Sequence, residues 1–131
     1  MSIKIEKENF SVEAGLTESG RVAIELSGRF DHQHAPLLSQ AIDQLADQEG
    51  TKADDFLDFV IYLSALEFMN SSAIRELISL LRKTQAKNGQ LILIGEDDNP
   101  AIESLRQTGI DSLFTIFANL IEVTKPQSKK K

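Results

Sequence analysis

Apolar and polar residues alternate along Phe10-Ser11-Val12-Glu13-Ala14 and again along Val22-Ala23-Ile24-Glu25-Leu26, the two-residue period of half-buried strands. Thr17-Glu18-Ser19-Gly20 between them carries turn-forming residues, so a hairpin is predicted to open the fold. The period then changes. From Ala35 to Ala46, Leu38, Ala41, Ile42 and Leu45 recur at helical spacing, and Pro36 stands where the first turn of a helix tolerates it. Asp47 to Asp58, with Gly50, Asp54 and Asp55, reads as a polar connection, and Phe59-Val60-Ile61-Tyr62-Leu63 as a buried central strand. Ile74, Leu77, Ile78 and Leu81 fall at i, i+3, i+4 and i+7, with Arg75, Glu76, Arg82 and Lys83 on the other side. That spacing predicts an amphipathic helix running to about Lys87 and ended by Asn88-Gly89.

Leu91-Ile92-Leu93-Ile94 repeats the signature of a short buried strand, and Pro100 starts a third helix that turns Ile102 and Leu105 inward. The Thr108-Gly109-Ile110-Asp111 turn leads to a last strand, Leu113 to Phe117, and Asn119 to Thr124 is read as a short final helix. The predicted order is β-β-α-β-α-β-α-β-α, an α/β domain whose mixed sheet has parallel strands joined by helical crossovers. Length changes little in this picture: 131 residues suit one domain, placed at 1–125, with 126–131 a disordered basic tail ending in Lys129-Lys130-Lys131.

Composition narrows the function. A formal charge of −6 argues against direct nucleic-acid binding, which rests on a basic surface against phosphates. No run approaches a transmembrane span, and the charged Met1-Ser2-Ile3-Lys4-Ile5-Glu6-Lys7-Glu8 start lacks the apolar region of a signal peptide, so the expected location is cytoplasmic, away from membranes. The absence of cysteine removes disulfides, thiolate catalysis and thiolate metal sites. His32 and His34 lack a third ligand nearby in sequence and are read as solvated loop residues rather than a metal site. Asp54-Asp55 and Asp97-Asp98 read as solvated loops and helix caps before cation sites. Asp31 and His34 with Ser71 suggest a hydrolytic triad on paper, yet neither a nucleophile-elbow glycine pattern nor a separate oxyanion motif accompanies them. Gly95 stands alone, without a phosphate-cradling loop. The chain is therefore expected not to be an enzyme, and no metal or other cofactor is assigned.

The most informative segment is Asn70-Ser71-Ser72-Ala73, polar cap-forming residues between the central strand and the second helix. Such a place offers a hydroxyl at a helix N-terminus, where backbone N–H groups and the helix dipole favour added negative charge. Capping of the helix by Ser71 or Ser72 is the structural alternative there. Leu66-Glu67-Phe68-Met69-Asn70-Ser71-Ser72-Ala73-Ile74, taken with Leu26-Ser27-Gly28-Arg29-Phe30-Asp31 and the late Thr108-Gly109-Ile110, resembles the STAS family, the domain of anti-sigma factor antagonists and sulfate transporters. The resemblance spans about Phe10 to Val123.

That resemblance implies a STAS-like single domain with Ser71 in the phosphoacceptor position and Asp31 on the loop bordering it. It further implies an anti-sigma factor antagonist that works by partner switching. The unmodified chain would bind a kinase-type anti-sigma factor through Asp31, Asn70, Ser71, Ser72 and Arg75, and phosphorylation of Ser71 by that serine kinase would break the complex. A metal-dependent serine phosphatase would restore it. The chain departs from the family pattern at Asn70, where aspartate is usual, and at Ala73, where glycine is common. Two other roles stand beside the switch: a constitutive adaptor or stressosome-like scaffold subunit without a working phosphoswitch, and a sensor of a small ligand or nucleotide.

Overall fold

A computed structural model describes residues 2–119 of the chain. Among them one six-stranded sheet runs in the order β1-β2-β3-β4-β5-β6: β1 (Ser2–Glu6), β2 (Phe10–Leu16), β3 (Val22–Phe30), β4 (Asp58–Met69), β5 (Gln90–Ile94) and β6 (Thr115–Phe117). β1, β2 and β3 pair antiparallel, and β3 to β6 pair parallel. The crossovers are α1 (Ala35–Gln48), α2 (Ser71–Ala86) and α3 (Pro100–Gln107). The mixed sheet with helical crossovers is as the periodicities predict.

β2 and β3 run on to Leu16 and Phe30, past the predicted Ala14 and Leu26, and three further differences each have a physical reason. β1 was not predicted. Ile3 and Ile5 alternate with charged or polar neighbours, but two apolar residues among charges are a faint signal, and the strand is held by pairing to β2 and by packing of both isoleucines on the core. β4 extends six residues past Leu63, because Leu66 and Met69 also turn inward while Ser64, Ala65 and Glu67 are exposed. The predicted last strand shrinks to Thr115–Phe117, as Asp111–Leu113 forms a single 3-10 turn. The helix expected from 119 to 124 and the basic tail lie outside the described residues, apart from Asn119.

The main core lies on one face of the sheet, and Val60, Ile92 and Ile94 make a smaller buried cluster on the other. Phe10, Val12 and Ala14 of β2, Val22, Ile24 and Leu26 of β3, Phe59, Ile61 and Leu63 of β4, and Leu91 and Leu93 of β5 share one cluster with the buried faces of all three helices. Leu38, Ala41 and Leu45 of α1, Leu77 of α2 and Leu105 of α3 are all inside it. Burial of a side chain of this size contributes about 1.5–3 kcal/mol relative to exposure, so the pattern that dictates helix and strand is also what holds them together.

At one end of the sheet the strands depart from regular pairing. The register between β3 and β4 shifts twice, between Glu25 and Ser27 and between Gly28 and Arg29, leaving Glu67 unpaired opposite the second shift. Gly28 has φ +89°, and a Cβ there would collide with the carbonyl oxygen of Asn9. That oxygen accepts a hydrogen bond from the Arg29 N–H at 2.8 Å. Glycine is therefore required twice, by conformation and by close approach. Gly28→Ala should lower unfolding stability by about 3 kcal/mol or more, whereas Gly50→Ala, at φ +73° in open space, should cost about 1 kcal/mol. Urea denaturation of the two variants measures the difference.

Candidate functional site

β3 and β4 run parallel and end level with one another, Phe30 opposite Met69. The Asn70 N–H then donates to the Phe30 carbonyl at 3.2 Å. This bond places the loop that starts at Asp31 beside the first residues of α2. α3 supports the same end, since Asn99 Nδ2 donates to the Leu63 carbonyl at 2.9 Å and Ser104 Oγ to the Met69 carbonyl at 3.2 Å. The end of β4 that runs past β5 is thus anchored on both sides.

The cap of α2 belongs to Asn70, not to either serine. Asn70 Oδ1 accepts from the Ser72 N–H at 3.1 Å and the Ala73 N–H at 3.2 Å, satisfying two of the N–H groups that a helix start leaves without partners. The capping alternative for Ser71 and Ser72 is thereby corrected. Ser71 is the first helical residue and is exposed, while Ser72 is half-buried and Ala73 fully buried. Arg75 is exposed one turn further on, at i+4 from Ser71 and hence on the same side of α2. No acidic residue stands in the first turn of α2, so no carboxylate of the helix's own offsets the positive end of its dipole beside the serine.

Asp31 is half-buried, and its Oδ1 accepts from the Gln33 N–H at 3.0 Å in a turn that leads into α1. The two histidines separate. His32 is exposed as expected, but His34 is 2% exposed and corrects the reading as a solvated loop residue. Its ring stacks on Phe10 at 4.9 Å between centroids, and Phe10 stacks in turn on Phe30 at 5.0 Å. The signal was present in the sequence, because His34 precedes Leu38, Ala41 and Leu45 at i+4, i+7 and i+11 and so continues the buried stripe of α1.

A second pair was also missed. Arg29 and Phe68 are register partners, and the Arg29 guanidinium lies 4.1 Å from the Phe68 ring centroid. The acidic pairs have local partners: Asp97 holds Arg106 at 2.7 Å, and Asp55 accepts from Thr51 Oγ1 at 2.6 Å and the Lys52 N–H at 3.3 Å. Those hydrogen bonds lower the pKa of Asp55 below the ordinary carboxylate value. Among the described residues no group of three His, Asp or Glu side chains is placed to hold a metal ion, and no helix is long and apolar enough to cross a membrane.

A prediction about folding follows from the cap. Asn70→Ala should destabilise the chain by about 1 kcal/mol, Asn70→Asp should retain most of the stability, and Ser71→Ala should change it by less than about 0.5 kcal/mol. Chemical denaturation of the three variants checks this ordering.

Comparison with known proteins places these features in company. The family model described as STAS domain matches residues 14–123. No protein of curated function matches the chain. Among solved structures, an anti-sigma factor antagonist from Mycobacterium paratuberculosis is 25% identical with a TM-score of 0.69, over 86% of this chain and 89% of that one. The anti-sigma factor antagonist SpoIIAA in its unphosphorylated form is 20% identical with a TM-score of 0.60, over 86% of this chain and 93% of its own. The Bacillus cell fate determinant SpoIIAA in its phosphorylated form is 17% identical with a TM-score of 0.60, over 86% and 96%.

Proposed function

We propose that this chain, which belongs to the STAS domain family, acts as an anti-sigma factor antagonist whose binding to a kinase-type anti-sigma factor is switched by phosphorylation of Ser71. The observation that carries the reading is an exposed serine hydroxyl at the first position of a capped helix, level with the Asp31 loop. Asp31, Asn70, Ser71, Ser72 and Arg75 form the partner surface, the anti-sigma factor is the serine kinase, and a metal-dependent serine phosphatase reverses the modification. The chain is a regulator and a kinase substrate in the cytoplasm, with no direct role at nucleic acid or membrane.

Physical chemistry supports a switch at this place. Phosphate adds about −1.5 to −2 charge at neutral pH, and an interface shaped around a neutral hydroxyl must desolvate that charge. A penalty of about 2.7 kcal/mol weakens binding about a hundredfold. The same charge suits the N-terminus of α2, so the free domain keeps its fold when modified. Ser71 is the acceptor and Ser72 is not, because Ser72 is half-buried and Ser71 exposed. The cleft between α1 and α2, lined by Leu38, Ile42, Phe59 and Leu80, holds only about 60 Å³. Small-molecule sites run from about 300 Å³ upward; the broader depressions beside β1 to β3, of about 510 and 490 Å³, reach that size but are open to solvent rather than enclosed. A partner protein is thus a better fit than a sensed ligand.

The test joins a pull-down to phosphopeptide mapping. A histidine-kinase-like ATPase should be recovered with the unmodified chain and, with ATP, should place phosphate on Ser71. Ser71→Asp should weaken that complex about a hundredfold, Ser71→Ala should bind but resist the kinase, and charge reversal at Arg75 should weaken binding without a change in melting temperature. Phosphate on Ser72 alone, or on neither serine with an active cognate kinase, would overturn the switch and favour a constitutive adaptor.

A further inference from the structure

His34 is the one histidine buried in the described chain, and its environment is unusual for a titratable group. Both ring nitrogens are shielded from solvent and make no hydrogen bond. The ring is the outermost of three in the Phe30, Phe10, His34 stack. As the N-cap residue of α1 it does not cap with its side chain. Leaving imidazole nitrogens unsatisfied in a protein interior is costly. What the ring does have is a carboxylate at hand, with Nδ1 3.0 Å from Asp31 Oδ1.

Asp31 is built around that contact. Its backbone carbonyl accepts from the N–H groups of His34 and Ala35, at 3.0 and 2.8 Å, which fixes the turn. Its Oδ1 faces the imidazole and takes the Gln33 N–H, whereas Oδ2 makes no hydrogen bond to the described residues. The side chain of Asp31 is 20% exposed. One carboxylate oxygen is therefore held inward and the other is left for a partner.

We propose that His34 is a positioning residue for Asp31 and makes the partner surface responsive to pH: the charged imidazolium pairs with the Asp31 carboxylate and withdraws its negative charge from the binding partner. The proposal rests on the reading of Asp31 as part of that surface. The surroundings of His34 offer no competing counter-ion. Phe10 covers it from β2, the first turn of α1 carries no acidic residue, and among the described residues Asp31 alone lies within ion-pair distance. His32, exposed on the same loop, is the other histidine and serves as the control.

The sign follows from the charges. When the His34 ring gains a proton as pH falls, the Asp31 charge 3.0 Å away is neutralised locally, and a partner that uses the carboxylate binds less tightly. The unphosphorylated protein is required for the measurement, since a phosphoserine also titrates near pH 6.

The experiment begins with the free 131-residue chain. In a carbon NMR pH titration the Asp31 carboxyl resonance should show a second inflection coincident with titration of the His34 ring. The inflection should persist in His32→Gln and vanish in His34→Phe, which keeps a ring against Phe10, and in His34→Gln. No second inflection, or one that disappears with His32, overturns the proposal even if neither His34 variant folds. With the kinase-type anti-sigma factor as the probe, affinity of the unmodified chain should fall about fivefold between two pH values that bracket the His34 inflection, and be flat in His34→Phe. A flat wild-type profile with measurable binding also overturns the proposal. Absence of binding at both pH values instead overturns the partner reading on which it rests, and the NMR titration then decides the Asp31 coupling independently.

Discussion

The hydrogen bond from the Asn70 N–H to the Phe30 carbonyl closes the parallel pairing of β3 and β4, and the geometry of the whole functional end hangs on it. Parallel strands bring both C-termini to the same side of a sheet, which is where a loop and a helix start can converge. Here the loop is the Asp31 turn and the helix is α2. Two strands whose ends fall level bring them together, yet β5 stops at Ile94, opposite Tyr62, long before β4 does. The outer part of β4 would have an open edge without Asn99 and Ser104 of the β5–α3 region bonding its carbonyls at Leu63 and Met69. The site is thus carried by a protruding pair of strands that α3 braces from outside.

The double register shift gives that protrusion its shape. A regular β3–β4 ladder would keep a strict alternation to the end of both strands, but the bulge at Glu67 resets it, so that Leu66 and Met69, three apart, both reach the core. The accommodation needs Gly28 on β3 and the left-handed Asn9, in the turn just before β2, to approach as backbones, and it turns Arg29 and Phe68 to meet as a cation–π pair. Phe30, buried completely at the next position, then anchors the aromatic stack that ends in His34. Packing in the core and the position of Asp31 at the surface are consequences of the same irregularity.

These facts explain what could and could not be read in advance. Elements with several apolar residues in one period were legible: α1 from Leu38, Ala41, Ile42 and Leu45, the strand Leu91–Ile94, and the β2–β3 hairpin. So was the place of Ser71, because cap-forming residues between an apolar strand and an amphipathic helix mark a helix start whatever the tertiary structure. Periodicity failed where tertiary pairing overrode it. The outer half of β4 breaks the two-residue period through its bulge, and β1 has only Ile3 and Ile5 to declare it. Side-chain roles that depend on a residue far away in sequence, such as Phe10 under His34, leave no local trace beyond the helical register of His34 itself.

Asparagine at position 70 has different consequences for the fold and for the proposed switch. As a cap, the amide oxygen does what a carboxylate oxygen does, taking the Ser72 and Ala73 N–H groups. As a charge it does not, because the first turn of α2 holds no acid to offset the dipole. A phosphate at Ser71 would therefore meet the positive end of a helix whose own first turn carries no carboxylate. In a chain with aspartate at this place the phosphate and the cap would compete as like charges. In the proposed switch, asparagine here would accommodate a phosphate at Ser71 with less repulsion than aspartate would, so the cost of the modification would fall on the complex rather than on the fold. Asp31 on the adjoining loop sets its carboxylate against a buried imidazole, so in the proposed surface its charge state would count for more than it would beside a second acid in the first turn of α2.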